Sequence, residues 1–191
     1  MLSRIHDAEL RLAHAAAEAD ALRAKLAEAN DSARRDPLTG LPNRRAFEES
    51  FITRTEGDGP YCLAVCDIDR FKRINDEHGH PVGDRVLSAV AHTLEETCPG
   101  QLVVRHGGEE FAILLRGIDL YKAADHLDHV RASVAAKRFR VRESDRALGQ
   151  VTLSIGVTAV QQGEESVAAF DRADRLLYTA KADGRDRVCA G

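Results

Sequence analysis

Two aspartates end the first apolar run of the chain, and their spacing suits a divalent cation. Asp67 and Asp69 follow the apolar residues 61–66 and precede a segment with helical character. Hard cations such as Mg²⁺ bind one or two carboxylates of this kind and complete their coordination with water and substrate phosphate. The stretch does not fit a calcium-binding loop, because Lys72 and His78 stand where that loop needs Gly and Glu. A solvated turn with a helix-capping Asp is the alternative interpretation.

Paired glycines followed by paired glutamates form a second group of residues suited to chemistry. Gly107 and Gly108 lie between apolar segments, which predicts a tight hairpin whose backbone can approach a ligand closely. Glu109 and Glu110 follow directly, and two adjacent carboxylates repel each other unless a cation or a substrate group lies between them. The alternative is a hairpin with a solvated acidic face.

A lysine and an arginine four residues apart form the third group. Lys181 and Arg185 flank the end of the last predicted helix. Both side chains can reach one phosphate chain, the arginine through its planar fork and the lysine as a point charge. The alternative is that both cations only offset the negative end of the helix dipole.

Composition and charge exclude several classes of protein. The 191 residues carry 27 Lys and Arg against 31 Asp and Glu, giving a net charge of −4, and they include no Trp. Nucleic-acid-binding domains usually have the opposite charge balance and more aromatic side chains, so we expect no nucleic-acid partner. The apolar runs are too short to span a bilayer and no signal peptide is visible, so we expect no membrane segment. The four cysteines form no CxxC pair, which indicates the reducing cytoplasm.

Strands alternate with helices through most of the chain. Apolar or β-branched runs predict strands at 61–67, 102–105, 111–115, 151–160 and 187–189. Helical patterns occur at 44–54, 71–79, 82–97, 120–137 and 166–182. This order, with one hairpin in the middle, predicts an α/β fold with a central, mostly antiparallel sheet of the βαββαβ type.

Residues 1–35 differ from the rest in composition, with eleven Ala and no Gly, Pro or aromatic residue. Two series of apolar residues recur every seven positions: Ile5, Leu12, Ala19, Leu26 and Ala33, and Ala8, Ala15, Leu22 and Ala29. This pattern predicts a long helix that pairs as a coiled coil, and a lone amphipathic helix packed on its own domain is the alternative. Because Pro37 disfavours helical geometry in the residue before it, we place the domain boundary between residues 35 and 36.

Taken together, the motifs resemble the GGDEF family of diguanylate cyclases. The matching residues run in order: Asp36-x-Leu38-Thr39-Gly40-Leu41-x-Asn43-Arg44, Asp67-x-Asp69-x-Phe71-Lys72-x-x-Asn75-Asp76-x-x-Gly79-His80-x-x-Gly83-Asp84, Gly107-Gly108-Glu109-Glu110-Phe111, Ser154-x-Gly156 and Tyr178-x-Ala180-Lys181-x-x-Gly184-Arg185. The resemblance covers residues 36–189, in the GGEEF variant of the motif. It implies a palm-like cyclase fold and the condensation of two GTP into cyclic di-GMP with release of two pyrophosphates.

The resemblance also assigns a role to each group of residues. It implies that Asp67, Glu109 and the backbone carbonyl of Ile68 hold the cations, two Mg²⁺ or Mn²⁺ ions at each half-site. The implied catalytic residues are Glu109, Glu110 and Lys72, with one of the two glutamates accepting the proton. The implied substrate-binding residues are Asn75, Asp84 and His80 around the guanine, Lys181 and Arg185 at the triphosphate, and Phe71, Gly107 and Gly108.

Specificity and assembly follow from the same resemblance. Asp84 can accept hydrogen bonds from N1 and N2 of guanine, and adenine lacks that donor pair, so we expect GTP as the substrate. Each domain is expected to carry one GTP, so two half-sites must face each other in a homodimer, which the parallel N-terminal coiled coil would hold together. An upstream sensor domain is a further possible partner.

Two alternatives remain open at this point. The domain could bind GTP or cyclic di-GMP without turnover, or it could serve only as a coiled-coil scaffold. Many relatives carry an Arg-x-x-Asp motif that binds product, and this chain has Cys98-Pro99-Gly100-Gln101 at the matching positions. We therefore expect no strong product inhibition through that site.

Overall fold

A computed structural model describes residues 2–54, 57, 59–139 and 148–191, with no side-chain description for residues 2–13 and 15. The chain divides into two compact units, residues 1–35 and 36–191. The first unit contains one helix, α1 (Leu2–Ala33), in which Leu22 and Leu26 are 61% and 64% exposed. Among the described residues, no helix combines the length and the apolar character needed to span a membrane.

The second unit contains five helices and five strands among its described residues. In chain order these are α2 (Arg44–Ile52), β1 (Tyr61–Ile68), α3 (Phe71–His78), α4 (His80–Thr97), β2 (Leu102–Gly107), β3 (Glu110–Arg116), α5 (Leu120–Ala136), β4 (Leu153–Ala159), α6 (Ser166–Ala182) and β5 (Val188–Ala190). The side chains of Asn43 and Asp119 cap α2 and α5 by accepting bonds from backbone N–H groups. Helix α4 begins two residues earlier than predicted, because Pro81 suits the first turn of a helix.

The strands form one sheet in the order β2-β3-β1-β4-β5. Strand β1 runs antiparallel to β3 and β4, and only the short β5 pairs in parallel, with β4. The predicted α/β class with a mostly antiparallel sheet is therefore confirmed. Because β1 is the central strand, its residues 62–68 are all buried, including the carboxylate at position 67.

The two faces of the sheet are covered by different helices. On one face, Cys62, Ala64, Cys66 and Ile68 pack against apolar side chains of α4 and α5. On the other face, Leu63 and Val65 pack against α2 and α6. Since side chains alternate along a strand, position 67 belongs to the second face and points towards α6.

A glycine in β4 lets α6 approach the sheet closely. A Cβ added at Gly156 would lie 2.1 Å from the carbonyl oxygen of Ala173 and 2.2 Å from the nitrogen of Leu177. No side chain larger than hydrogen fits between β4 and α6 at this position. The contact explains the Ser-x-Gly motif, and it brings the last turn of α6 to the end of β1.

Candidate active site

Asp67 lies at the carboxyl end of β1 in an ion pair with α6. It stands opposite Glu110 of β3 on one side and Ser154 of β4 on the other. The Nζ atom of Lys181 lies 2.9 Å from Asp67 Oδ1, and the Asp67 side chain is 8% exposed. The structure therefore brings together an acidic and a basic residue that are far apart in sequence.

The hairpin between β2 and β3 places the two glutamates beside Asp67. Gly107 pairs with Glu110, so Gly108 and Glu109 form the turn. Gly108 has a φ of 50°, a left-handed conformation that costs glycine little. The Glu109 carbonyl accepts a hydrogen bond of 3.4 Å from the backbone N–H of Ile68. The tip of the hairpin is thereby joined to the end of β1.

The electrostatics of this cluster show an excess of negative charge. Burial raises the pKa of Asp67, and the Lys181 and Arg185 cations oppose that rise. Burial also raises the pKa of Glu109 and of Glu110, and the charge of Asp67 raises both further. Asp174 on α6 adds to the effect on the pKa of Glu110. Carboxylates that raise one another's pKa are stabilised when a cation lies between them.

The donors present fit a divalent cation that shares its coordination with phosphate and water. The predicted ligands are the carboxylates of Asp67 and Glu109 and the carbonyl of Ile68, all oxygen donors suited to Mg²⁺ or Mn²⁺. Within the described residues no group of three or more His, Cys, Asp or Glu side chains is arranged to hold a metal. The predicted set contains only two such side chains, so this finding leaves it unaffected.

The predicted guanine-binding residues lie where α3 meets α4. A Cβ added at Gly83 would lie 2.0 Å from Asn75 Oδ1 and 3.1 Å from Phe71 Cζ. The amide of Asn75 therefore rests directly against the backbone of α4, one residue before Asp84. Phe71 is buried below it, whereas the side chain of Asp84 is exposed. No role was predicted for Gly83, although its place in the motif beside Asp84 was the available signal.

The remaining predicted residues have fewer contacts. Lys72 is exposed in the first turn of α3, and His80 is exposed at the first position of α4. In the described part of the chain, neither forms a hydrogen bond or an ion pair with another predicted site residue. Arg185 follows α6, and its charge acts on the Asp67 carboxylate. The structure thus unites Asp67, Glu109, Glu110, Lys181 and Arg185 and leaves Lys72 and His80 at the margin.

Residues 33–187 match the family model described as the diguanylate cyclase GGDEF domain. The chain belongs to the GGDEF family. The family predicted from the sequence motifs is therefore confirmed. GGDEF cyclases use GTP and depend on a metal ion.

Several known GGDEF proteins are similar to this chain. It is 40% identical over 176 residues to the diguanylate cyclase DgcP of Pseudomonas aeruginosa, covering 90% of this chain and 26% of that protein. The crystal structure of the coiled coil and GGDEF domain of DgcB from Caulobacter crescentus, in complex with c-di-GMP, matches with a TM-score of 0.87 at 35% identity, over 96% of this chain and 98% of that one. The diguanylate cyclase SiaD from Pseudomonas aeruginosa, in complex with its activator SiaC, matches with a TM-score of 0.77 at 38% identity, over 99% of this chain and 75% of that one. This chain spans 26% of the length of DgcP and 51% of the length of the diguanylate cyclase VdcA of Vibrio cholerae.

A second hydrogen-bond network in this GGDEF domain braces the hairpin turn. No role was predicted for it from the sequence. Arg105 of β2 donates to both carboxylate oxygens of Asp36, at 3.0 and 3.1 Å. The same guanidinium donates to the Gly108 carbonyl at 2.7 and 3.1 Å. Burial opposes the ionisation of Asp36, but hydrogen bonds from Thr39 and Arg105 outweigh it and lower the pKa of Asp36. The available signals were the Asp-x-x-Thr spacing of the turn and an arginine two residues before the glycine pair.

The positions that match the product-binding motif of other GGDEF domains have structural partners here. Cys98 is buried at the end of α4, with 2% of its surface exposed. The Gln101 side-chain oxygen accepts a hydrogen bond of 2.7 Å from the backbone N–H of Arg116. Neither side chain carries a charge that could replace the Arg and Asp of the motif.

Proposed function

We propose that this domain condenses two GTP molecules into cyclic di-GMP and releases two pyrophosphates. The observation that carries the proposal is the cluster at the end of β1, where Asp67, Glu109 and Glu110 meet Lys181 and Arg185. Excess carboxylates next to two cations suit a substrate that brings a phosphate chain together with divalent metal ions.

Asp67, Glu109 and the Ile68 carbonyl would hold two Mg²⁺ or Mn²⁺ ions per half-site. Such ions, when bound, lower the pKa of the ribose 3′-hydroxyl and offset the charge of the phosphate oxygens. Glu109 and Glu110 are both candidates for the base that accepts the 3′-hydroxyl proton. A raised pKa suits that task, because a stronger base accepts a proton more readily.

The cations position and neutralise the triphosphate. Lys181 near the end of α6 pairs with Asp67, Arg185 follows the helix with its charge acting on the same carboxylate, and both would bind the phosphates. Lys72 in the first turn of α3 would add charge stabilisation in the transition state. The glycine backbone at positions 107 and 108 leaves space for the ribose and phosphate to approach.

Guanine would bind at the junction of α3 and α4. Asn75 and Asp84 supply an amide and a carboxylate on adjacent helices, Phe71 lies close to Gly83 between them, and His80 is the first residue of α4. The carboxylate of Asp84 selects guanine because it accepts from N1 and N2 together. We expect Asp84→Ala to reduce the preference for GTP over ATP, which competition binding with both nucleotides would measure.

Two domains must bring their GTP molecules together, because each provides one half-site. The exposed Leu22 and Leu26 on α1 occupy positions of the heptad pattern and would be covered in a parallel coiled coil. The DgcB structure includes a coiled coil next to its GGDEF domain, which supports the same arrangement here. If Leu22→Glu with Leu26→Glu left both sedimentation and turnover unchanged, the dimer proposal would be wrong.

We further infer a cytoplasmic location and a regulatory input. The four cysteines are free and three of them are buried, as expected in a reducing compartment. Because SiaD has a separate activator and this chain spans only part of its curated relatives, the signal would come from an upstream sensor domain or a bound partner.

The decisive experiment is incubation of the protein with GTP and Mg²⁺, followed by chromatographic separation of the nucleotides. Cyclic di-GMP formed by the parent and lost in Asp67→Ala and Glu109→Ala would support the activity and its metal ligands. Glu95→Ala is the matched control, because Glu95 is an exposed carboxylate on α4 outside the site. Absence of product at concentrations where dimers form would favour a module that binds GTP or cyclic di-GMP without turnover.

A further inference from the structure

The loop after α6 contains two consecutive residues with unfavourable backbone geometry. Arg185 has a φ of 66° and Asp186 a φ of 48°, and neither is glycine. Side chains with a Cβ rarely adopt this left-handed conformation. It persists in a folded protein only where surrounding contacts hold it.

Those contacts reach Asp186 from two sides. The Nη1 atom of Arg131 on α5 donates to Asp186 Oδ1 at 2.6 Å. The backbone N–H of Asp186 donates to Asp69 Oδ2 at 3.1 Å. The Arg131 guanidinium is itself oriented by Asp128, which accepts from its Nε atom at 2.7 Å. Because the Arg131 side chain is only 18% exposed, this pair is less screened than an ordinary surface ion pair.

The backbone on both sides of Asp186 is fixed as well. The N–H of Arg185 donates to the Ala180 carbonyl at 2.9 Å, which ties it to the end of α6. The Arg187 carbonyl accepts from Ile155 N at 2.9 Å, which ties it to β4. Arg185 is therefore held between two rigid elements, with its charge acting on the Asp67 carboxylate.

We propose that Arg131 and Asp186 are positioning residues that hold Arg185 in place for the triphosphate of the substrate. The inference rests on the proposed function, because it assumes that Arg185 binds phosphate. An arginine whose backbone is already fixed loses less conformational freedom when the ligand arrives, so binding is tighter. Helix α5, which contributes none of the proposed substrate contacts, would in this way set the affinity for the phosphate chain.

The test compares a triphosphate with a monophosphate of the same base. Calorimetric titration with 3′-deoxy-GTP, which lacks the attacking hydroxyl, and with GMP, both in Mg²⁺, separates phosphate binding from guanine binding. We expect Arg131→Met and Asp186→Ala to weaken binding of 3′-deoxy-GTP by about tenfold, the effect of one lost charge-assisted contact, and to leave GMP binding unchanged. Asp186→Asn keeps an acceptor oxygen and tolerates left-handed backbone, so it should retain most of the affinity.

Arg45→Met is the matched control. Arg45 forms an exposed ion pair with Glu49 on α2, at 3.0 Å, so its loss changes the net charge equally without touching the loop. The proposal is overturned if Arg131→Met keeps the parental ratio of the two affinities, if both affinities fall together, or if Arg45→Met lowers the ratio as much. A parent protein that binds 3′-deoxy-GTP but makes no cyclic di-GMP from GTP would contradict the proposed function alone.

Discussion

The two carboxylates at the end of β1, Asp67 and Asp69, have different surroundings although they are two residues apart. Asp69 accepts hydrogen bonds from the hydroxyls of Thr152 and Ser154, both at 2.6 Å, and from the backbone N–H of Asp186 at 3.1 Å. Asp67 forms an ion pair with Lys181 and lies among other carboxylates.

This difference separates a structural carboxylate from one suited to binding. Three donors satisfy Asp69 within the fold, and they join the end of β1 to β4 and to the loop after α6. The Asp67 cluster contains more negative than positive charge, so folding alone leaves it incompletely compensated. We therefore propose that the cations bind at Asp67, whereas hydrogen bonds within the fold already satisfy Asp69.

The largest expected effect is on turnover at Asp67. We expect Asp67→Ala to reduce the formation of cyclic di-GMP by about a thousandfold, because a metal ligand acts directly on the transition state. Its free energy of unfolding in metal-free buffer should fall by less than that of Asp69→Ala, because the burial that disfavours ionised Asp67 offsets part of its ion pair with Lys181. Turnover assays and urea denaturation of the same preparation provide both readouts. Equal losses of activity and stability would contradict the comparison.

Asp69→Ala should act mainly on the stability of the fold. We expect the free energy of unfolding to fall by about 3 kcal/mol, because the change leaves two hydroxyls and one backbone N–H without their acceptor. Urea denaturation measures this, with Asp69→Asn as the milder variant that keeps one acceptor oxygen. An Asp69→Ala protein as stable as the parent would show that the three bonds contribute little.

Divalent cations should stabilise the folded protein by binding at Asp67 and not at Asp69. We expect saturating Mg²⁺ or Mn²⁺ to increase the stability of the parent by about 1–3 kcal/mol, the mass-action effect of a ligand in excess. The increase should disappear in Asp67→Ala and persist in the control Glu95→Ala. Thermal unfolding with and without the metal checks this, and equal stabilisation of all three proteins would place the cation elsewhere.

The smallest expected effect is a dependence of stability on pH. The pKa of Glu110 is raised above its ordinary value of 4.5, so the folded state binds its proton more tightly than the unfolded state. The contribution of Glu110 to the stability of the metal-free protein therefore falls as pH rises from the unfolded pKa through the folded pKa, and it is lost completely above the folded pKa. Glu110→Gln should lessen this fall by less than about 1 kcal/mol, because Glu110 is partly exposed and solvent screens its charge. Urea denaturation between about pH 4 and 7 measures it, and an Asp171→Asn control should behave like the parent.

The sequence was sufficient to predict the motifs but not the long-range hydrogen bonds of Asp69 and Asp36. The mostly antiparallel sheet, the hairpin and the placement of Asp67, Glu109 and Lys181 at one site followed from local patterns and the family resemblance. The partners of Asp69 lie 83, 85 and 117 residues further along the chain, and Asp36 is separated from Arg105 by 69 residues. No local pattern carries information about contacts at such separations, so Asp69 was grouped with Asp67 as a possible metal ligand.

The sequence by itself determined which residues could do chemistry and which elements carry them. Alternation along β1 and the turn chemistry of the paired glycines are local properties, so they could be predicted from neighbouring residues. Tertiary structure decided that hydrogen bonds satisfy Asp69 and that Lys181 reaches Asp67, because burial and charge pairing depend on elements brought together by the sheet. The local pattern therefore could not tell Asp67 from Asp69; the family resemblance assigned the metal to Asp67, and the folded molecule shows what holds Asp69.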